Sequence, residues 1–493
     1  MAHRHAFWLL SYLGCYSKRA EDFTFLPPPP YRKVLGRMRR AVLCLVSAAL
    51  AVGLLVGAYG DGKPTTAYAS TTKPNIIFIL TDDLDARPGS ISHMPNLRRY
   101  LINNGTTFDN AFVTTSLCCP SRATFLRGQY SHNHGVLTNQ APLGGAQRFR
   151  SLGRENSTIA TWLHHGGYRT VEIGKYLNHY QPPKPPGWDE WHSGVPAGSY
   201  PTDWMASQAV QFIRGMKGKS QPFFMWLGTK APHAPALPPP RYADRFPNAM
   251  APRPPSFNEE DVSDKPTWVR TQPLLTSTQI HEIDKLYRNR LRSMLAVDDL
   301  IGRIVDSLSY SRKLSNTYIV FTSDNGVPLG THRKDHGKWS AYEEDIRVPL
   351  MVRGPNVPRG ATRAHMVLNN DFAPTFARLG RVSTPTFVDG RSFVPLLQPG
   401  PPPPSNWRSA FLVEGKRGGT DLSWPGYKAV RTRTHIWVEY ASGERELYNL
   451  REDPYELQSL HQTAPSELKQ YLSSRLDRLR GCARDGCRTA EGF

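Results

Sequence analysis

The stretch Cys118-Cys119-Pro120-Ser121-Arg122-Ala123-Thr124-Phe125-Leu126-Arg127-Gly128 sets a thiol pair beside residues suited to anion chemistry. Pro120 has a fixed φ and no N–H, which suits the first position of a helix, and Ser121 to Leu126 contain nothing that would break one. Cys118 is then expected just ahead of a helix N-terminus, where free backbone N–H groups and the positive end of the dipole attract an anion. Arg122, one turn further on, adds a full positive charge. A nucleophile at Cys118 would face a bound oxyanion. The bland alternative is a pair of buried thiols acting as small hydrophobes, which suits Cys119 better than Cys118.

Further candidates follow short apolar runs. Asp82-Asp83 come after Ile76 to Leu80, Gly174-Lys175 after Thr170 to Ile173, Pro232-His233 after Phe223 to Leu227, and Ser323-Asp324-Asn325-Gly326 after Tyr318 to Phe321. One Asp pair behind a strand reads equally well as a capped turn. Recurrence of Asp, Lys, His and Asn in the same position favours a shared site.

The elements that must position these residues begin at Pro74, where apolar runs start to alternate with helical patterns. That alternation predicts an α/β fold with a largely parallel sheet, and ligands of such sheets gather beyond the carboxyl ends of the strands. Helices are expected at 158–165, 204–214 and 278–308, the last with Ile283, Leu291, Met294, Ile301 and Val305 at helical spacing. Its Asp298-Asp299 pair reads as a solvated or capping feature, not a metal site. Residues 237–271 are rich in proline and lack periodicity, so a long ordered loop is expected beside the active edge. Tyr242, Trp268 and Arg270 could contact a sugar or aryl group there, although packing of the loop on its own domain is the simpler role.

Residues 118–128 carry C-x-P-S-R-x-x-x-L-x-G, six residue types fixed over eleven positions, and resemble the signature of the type I sulfatases. Arg127 stands where that family often has Thr. The resemblance implies that a formylglycine-generating enzyme oxidises Cys118 to formylglycine, whose hydrated aldehyde is the nucleophile. It also implies an alkaline-phosphatase-like α/β domain with a mixed, mostly parallel sheet flanked by helices, followed by a small C-terminal α+β domain with an antiparallel sheet. Asp371-Phe372-Ala373-Pro374-Thr375 and Asp389-Gly390-Arg391-Ser392 look like landmarks closing the large domain. Glu446 to Leu450 with Asp453-Pro454-Tyr455-Glu456 resembles the small one, completed by a helix at 466–479.

Asp82, Asp83, Asp324 and Asn325 match the family's metal ligands, with the modified residue 118 as a further one. The four supply only oxygen, which suits calcium, or less well magnesium, and argues against zinc. Lys175 and Lys338 match the lysines that hold sulfate and the leaving oxygen, Arg122 belongs to the signature, and His233 matches the histidine that protonates the leaving group. Many sulfatases have His two residues after the first lysine, where this chain has Leu177. Asn178, His179 or His332 could substitute for it. Gly174-Lys175-Tyr176-Leu177-Asn178 and His132-Asn133-His134 instead resemble the branch of N-acetylglucosamine-6-sulfatases and extracellular heparan-sulfate sulfatases. The implied activity is hydrolysis of sulfate monoesters, on a sulfated carbohydrate or an aryl sulfate. A phosphonate or phosphate ester hydrolase is a second reading, and a secreted polyanion-binding protein with an unmodified Cys118 a third.

At 493 residues with 39% hydrophobic and 21% charged side chains, the chain can bury a core without staples. Three segments are expected: a leader at 1–69, a catalytic domain at 70–398 and a small domain at 399–493. A formal charge of +20 would draw sulfated polymer, acidic lipid or nucleic acid, but no nucleic-acid-binding motif accompanies it. Arg39-Arg40, the apolar run 41–58 and Ala67-Tyr68-Ala69 read as an export signal or an uncleaved membrane anchor, with Met38 as a plausible true start. Export fits a disulfide between Cys482 and Cys487.

Overall fold

A computed structural model describes residues 72–87, 89–335, 337–399, 407–417 and 424–492. The leader, Met38, the run 41–58 and most of the prolines at 399–404 lie outside these residues. Among the described residues no helix is long and apolar enough to cross a membrane.

The central strand is β1 (Asn75–Thr81), and all seven of its residues are buried. Ile76, Phe78 and Leu80 enter one hydrophobic core while Ile77 and Ile79 enter a second on the opposite face. That two-sided burial explains why the strand reads as an unbroken apolar run without alternation. In chain order there follow β2 (Thr106–Phe108), β3 (Ala111–Phe112), β4 (Arg169–Gly174), β5 (Glu190–His192), β6 (Phe223–Gly228), β7 (Thr317–Ser323), β8 (Leu350–Arg353), β9 (Ala361–Arg363) and β10 (Val367–Leu368). Eight of these form one sheet, ordered β5-β4-β6-β1-β7-β8-β2-β9. Five of its seven neighbouring pairs are parallel and two, both involving β8, are antiparallel. The sheet is therefore mixed and mostly parallel, and β1, β4, β6 and β7 all end at one edge.

Helices cover both faces. On one side lie α1 (Cys118–Arg127), α2 (Ile159–His165) and α5 (Phe372–Gly380), sharing a core with Phe78 and Trp226. On the other lie α3 (Pro201–Gly215) and α4 (Ser277–Tyr310), with Met294, Val297, Ile301 and Ile304 packed against Ile77 and Ile79. Thr276 and Gln279 close α4 with a reciprocal capping box. Asp298 is buried in α4 and accepts the backbone N–H groups of Asn96 and Leu97 at 3.0 and 2.8 Å, so it caps a short helix.

The C-terminal part is a four-stranded antiparallel sheet of β11 (Ala410–Gly415), β12 (Tyr427–Thr432), β13 (His435–Tyr440) and β14 (Arg445–Asn449), covered by α6 (Ser466–Leu479). It joins the same core as the large sheet, with the rings of Phe112 and Phe411 5.0 Å apart. A disulfide links Cys482 to Cys487. Trp268 packs against Trp424, with ring centroids 4.2 Å apart, and Tyr242 donates to Asp299 at 2.8 Å. Tyr242 and Trp268 of the proline-rich loop are therefore engaged in a surface ion-pair cluster and in packing, respectively.

Candidate active site

Cys118 is the first residue of α1, with Leu117 as its extended N-cap, so the helix begins two residues earlier than the proline suggests. The physical reason is that Pro120, third in the helix, sits where the backbone N–H has no intrahelical partner anyway. Ser121 makes the first bond, to the Leu117 carbonyl at 3.0 Å. Gly128 ends the helix in the left-handed conformation, at φ 68°.

Burial is nearly complete around Cys118, which is 1% exposed. Its Sγ lies 3.3 Å from Asp82 Oδ1 and 2.7 Å from Lys338 Nζ. Asp82 continues from β1 and is ion-paired with Lys175, which continues from β4. Asp83 takes a left-handed backbone, φ 67°, which aspartate tolerates better than most residues. Its carboxylate is ion-paired with Lys338 and accepts Asn325 Nδ2 at 2.7 Å. Asp324, at the end of β7, accepts Arg122 Nε at 2.6 Å and the Asp83 N–H at 3.2 Å. His233 Nε2 stands 3.7 Å from Asp83 Oδ2, and its Nδ1 is 2.8 Å from the Ala234 carbonyl. Its side chain is 43% exposed, which makes it an accessible polar group facing the buried cluster.

Arg122 is the buried hub of the arrangement. Its Nη1 donates to the Lys175 carbonyl at 2.6 Å. Two glycines make that approach possible. A Cβ at Gly174 would meet the Gly228 carbonyl oxygen at 2.3 Å, and one at Gly228 would meet the Lys175 carbonyl oxygen at 2.0 Å. Arg122→Ala would leave Asp324 buried without its guanidinium, and the fold should lose about 3–5 kcal/mol. Chemical denaturation of the purified variant measures this; a loss below about 1 kcal/mol would mean that Asp324 does not depend on the pair.

The electrostatics set these groups apart. Burial alone would push Asp82 up, but Lys175, Arg122 and Lys338 outweigh it and hold its carboxyl well below the usual carboxylate range. Asp324 moves the other way, because burial and the adjacent Asp82 charge exceed the effect of Arg122. Burial and Asp82 also push the Cys118 thiol far up, and burial pushes Cys119 up to about 11. Neither thiol has the depressed pKa of a cysteine that acts as a thiolate.

One ligand atom each from Asp82, Asp83, Cys118 and Asp324 lies within 4.8 Å of the others, and all four residues are buried. Asn325 adds a buried Oδ1 that has no hydrogen-bond partner. An orphaned carbonyl oxygen beside three carboxylates fits a hard, oxygen-seeking cation. Three carboxylates and three cations, the buried Arg122 and the part-buried Lys175 and Lys338, balance in charge, so a dication would leave the site net positive.

Of the three residues considered in place of a histidine at Leu177, the structure brings one to the site. Asn178 lines the cleft over Asp82 and Lys175, and its Oδ1 is buried without a partner. His179 is exposed, with a left-handed backbone at φ 56°. His332 is directed elsewhere, with Nδ1 2.7 Å from Glu259 Oε2 and its ring stacked on Tyr342. Leu177 itself is buried in the core.

Arg290 of α4 was not anticipated. Its guanidinium donates to the Asp83 carbonyl at 2.7 Å and the Pro232 carbonyl at 3.2 Å, fixing both the Asp83 turn and the loop of His233. A signal existed, since an arginine at position 290 falls on the apolar face defined by Ile283, Tyr287 and Met294. A cleft of about 830 Å³ opens over Asp82, Lys175 and His233, with Tyr200, Lys230 and Pro235 on its walls.

Residues 74–382 match the Sulfatase family, and residues 331–481 match the family described as N-sulphoglucosamine sulphohydrolase, C-terminal. The chain is 31% identical to the N-acetylglucosamine-6-sulfatase of Homo sapiens, over 95% of this chain and 94% of that protein. It is also 31% identical to an arylsulfatase of Volvox carteri, over 86% of this chain and 77% of that one. Among solved structures, one of an enzyme in complex with its substrate D-glucosamine-2-N,6-O-disulfate superposes with a TM-score of 0.72 at 26% identity, covering 85% of this chain and 99% of the other. The two family matches together run from residue 74 to 481, a span that contains the large sheet, the C-terminal sheet and the positions of the buried cluster. The chain belongs to the sulfatase family and is a sulfuric ester hydrolase.

Proposed function

We propose that the protein removes sulfate from sulfated carbohydrates, using a formylglycine made from Cys118 and a calcium ion held by Asp82, Asp83, Asp324 and Asn325. The observation that carries the carbohydrate reading is the likeness, across nearly the whole described chain, to an enzyme solved with a sulfated glucosamine. The cleft supports it: about 830 Å³ is at the size of sites that hold small organic ligands, and Lys230, Asn178 and Tyr200 offer polar groups to a sugar. The bound cation would polarise the sulfate oxygens and offset the charge that develops on them. A formylglycine at position 118 would supply a hydrated aldehyde whose hydroxyl could serve as the nucleophile.

The chain's own residues do the rest. Lys175 and Lys338, ion-paired with Asp82 and Asp83, are placed to present their ammonium groups to the sulfate oxygens as charged hydrogen-bond donors. Arg122 orients Asp324, and Arg290 fixes the Asp83 turn. His233, at the open side of the cluster, gives a proton to the departing sugar oxygen. Catalysis rests on residues 70–398, with 399–493 as the supporting segment, and export through the leader is consistent with the Cys482–Cys487 disulfide.

A proton donor matters most when the leaving group is a poor one. His233→Ala should therefore slow hydrolysis of a sugar sulfate by about 10²-fold or more and that of nitrophenyl sulfate much less. Steady-state kinetics on the two substrates measure the difference. Equal losses would assign His233 to positioning instead.

The similarity to the Volvox carteri protein keeps an arylsulfatase as the second reading. Sulfate release from 6-sulfated glucosamine, 6-sulfated galactosamine and aryl sulfates, assayed at two ionic strengths, separates the two. Turnover of sulfated sugars that weakens as salt rises is the expected result, since the basic surface attracts polyanions at long range. Turnover of aryl sulfates alone would discard the carbohydrate assignment and leave the sulfatase intact.

A further inference from the structure

We propose that His332, Glu344 and Glu456 form a second metal site, separate from the catalytic cluster, that binds a divalent transition ion of the zinc type. One ligand atom from each of the three lies within 4.8 Å of the other two. His332 Nε2, Glu344 Oε2 and Glu456 Oε1 are each buried with no hydrogen-bond partner. His332 is 0% exposed and Glu456 1%, so water does not satisfy these atoms from the surface. Three orphaned ligand atoms converging in one buried place require a common partner.

The surrounding groups are arranged to present these atoms. Glu259 Oε2, 2.7 Å from His332 Nδ1, can accept the Nδ1 proton and leave the Nε2 lone pair directed at the two glutamates. A carboxylate behind a ligating histidine is the usual outer support of such a site. Tyr342 stacks on the imidazole at 4.0 Å, and Glu456 Oε2 accepts the Glu343 N–H at 2.9 Å, which fixes the second ligand. The nearby lysines are committed elsewhere: Lys334 pairs with Asp345 at 2.8 Å, and Lys265 donates to the carbonyls of Glu456 and Leu457. Burial pushes both carboxyls up, with Glu344 and Glu343 adding to the effect on Glu456, while at Glu344 the nearby Arg87 charge opposes the rise without cancelling it.

The donor set differs from that of the catalytic cluster. One imidazole nitrogen with two carboxylate oxygens suits zinc and its neighbours in the first transition row, whereas calcium would take more oxygens. The three ligands come from the loop after β7, from the short helical turn Glu343–Ile346 and from the loop after β14. An ion there would join the loop that leads into Lys338 to the C-terminal sheet.

The test uses the full chain loaded with calcium and dialysed against a small excess of zinc, followed by elemental analysis. One zinc per chain is expected in the wild type, falling to near none in His332→Ala and in Glu456→Gln while bound calcium is retained. X-ray absorption at the zinc edge of the wild type should show nitrogen and oxygen neighbours, including an imidazole, and no sulfur. That measurement stands even if neither variant folds. No bound zinc, zinc retained equally by both variants, or a sulfur neighbour indicating Cys118 or Cys119 would each overturn the proposal. Absence of zinc would mean that Glu344 and Glu456 share a proton.

Discussion

Cys118→Ala is expected to lower sulfate release by on the order of 10⁴-fold or more while leaving the protein folded. The side chain begins a helix, where alanine is well tolerated, and its removal deletes only an Sγ that contacts Asp82 and Lys338. Activity and stability should therefore separate. Cys119→Ala is the matched control, because Cys119 belongs to the hydrophobic core and its thiol is held inert by burial. It should retain most activity and lose a little stability. Sulfate release and thermal unfolding of both variants check the pair of outcomes. Comparable losses of activity in the two would mean that the helix N-terminus, and not residue 118, limits turnover.

Removal of the cation is expected to have an effect of similar size. Asp82, Asp83 and Asp324 are buried together, and Asp324 is already pushed up beside Asp82 even with Arg122, Lys175 and Lys338 in place. Without a dication the two lysines remain paired with carboxylates and are withheld from sulfate. Chelated protein should lose about 10³-fold or more in turnover and unfold at lower temperature, and calcium should restore both. Magnesium should restore less, since its strict octahedral preference is harder to meet with these side chains. Calcium binding followed by calorimetry gives a readout independent of activity. Full activity in protein shown by elemental analysis to be metal-free would exclude a catalytic role for the ion.

Much of this site was legible because the large sheet is built from apolar runs that stop abruptly. β1, β4, β6 and β7 are buried in their interiors, so Asp82, Lys175 and Asp324 stand out as the first charged residues past their strands, and His233 follows five residues after β6. The helix at 118–127 was legible from its lack of breakers, but its start was not, because a proline is equally harmless at the first or third position. Lys338 came from resemblance alone: it lies in a loop without periodicity, beside Trp339 with φ 100°. The destination of His332 was hidden for a similar reason. His332 and Arg333 are successive left-handed residues, at φ 51° and 59°, and that turn sends the ring to Glu259, 73 positions earlier in the chain. Arg290 was hidden inside a helix pattern whose apolar periodicity drew attention away from a buried charge within it.

The proposed mechanism requires an aldehyde at residue 118 of the active enzyme. The direct test is peptide mass spectrometry across residues 118 and 119, on protein fractions of different specific activity. An aldehyde at 118, an unmodified thiol at 119, and sulfate release proportional to the aldehyde fraction are expected. Full activity in protein whose Cys118 is wholly thiol would contradict the mechanism.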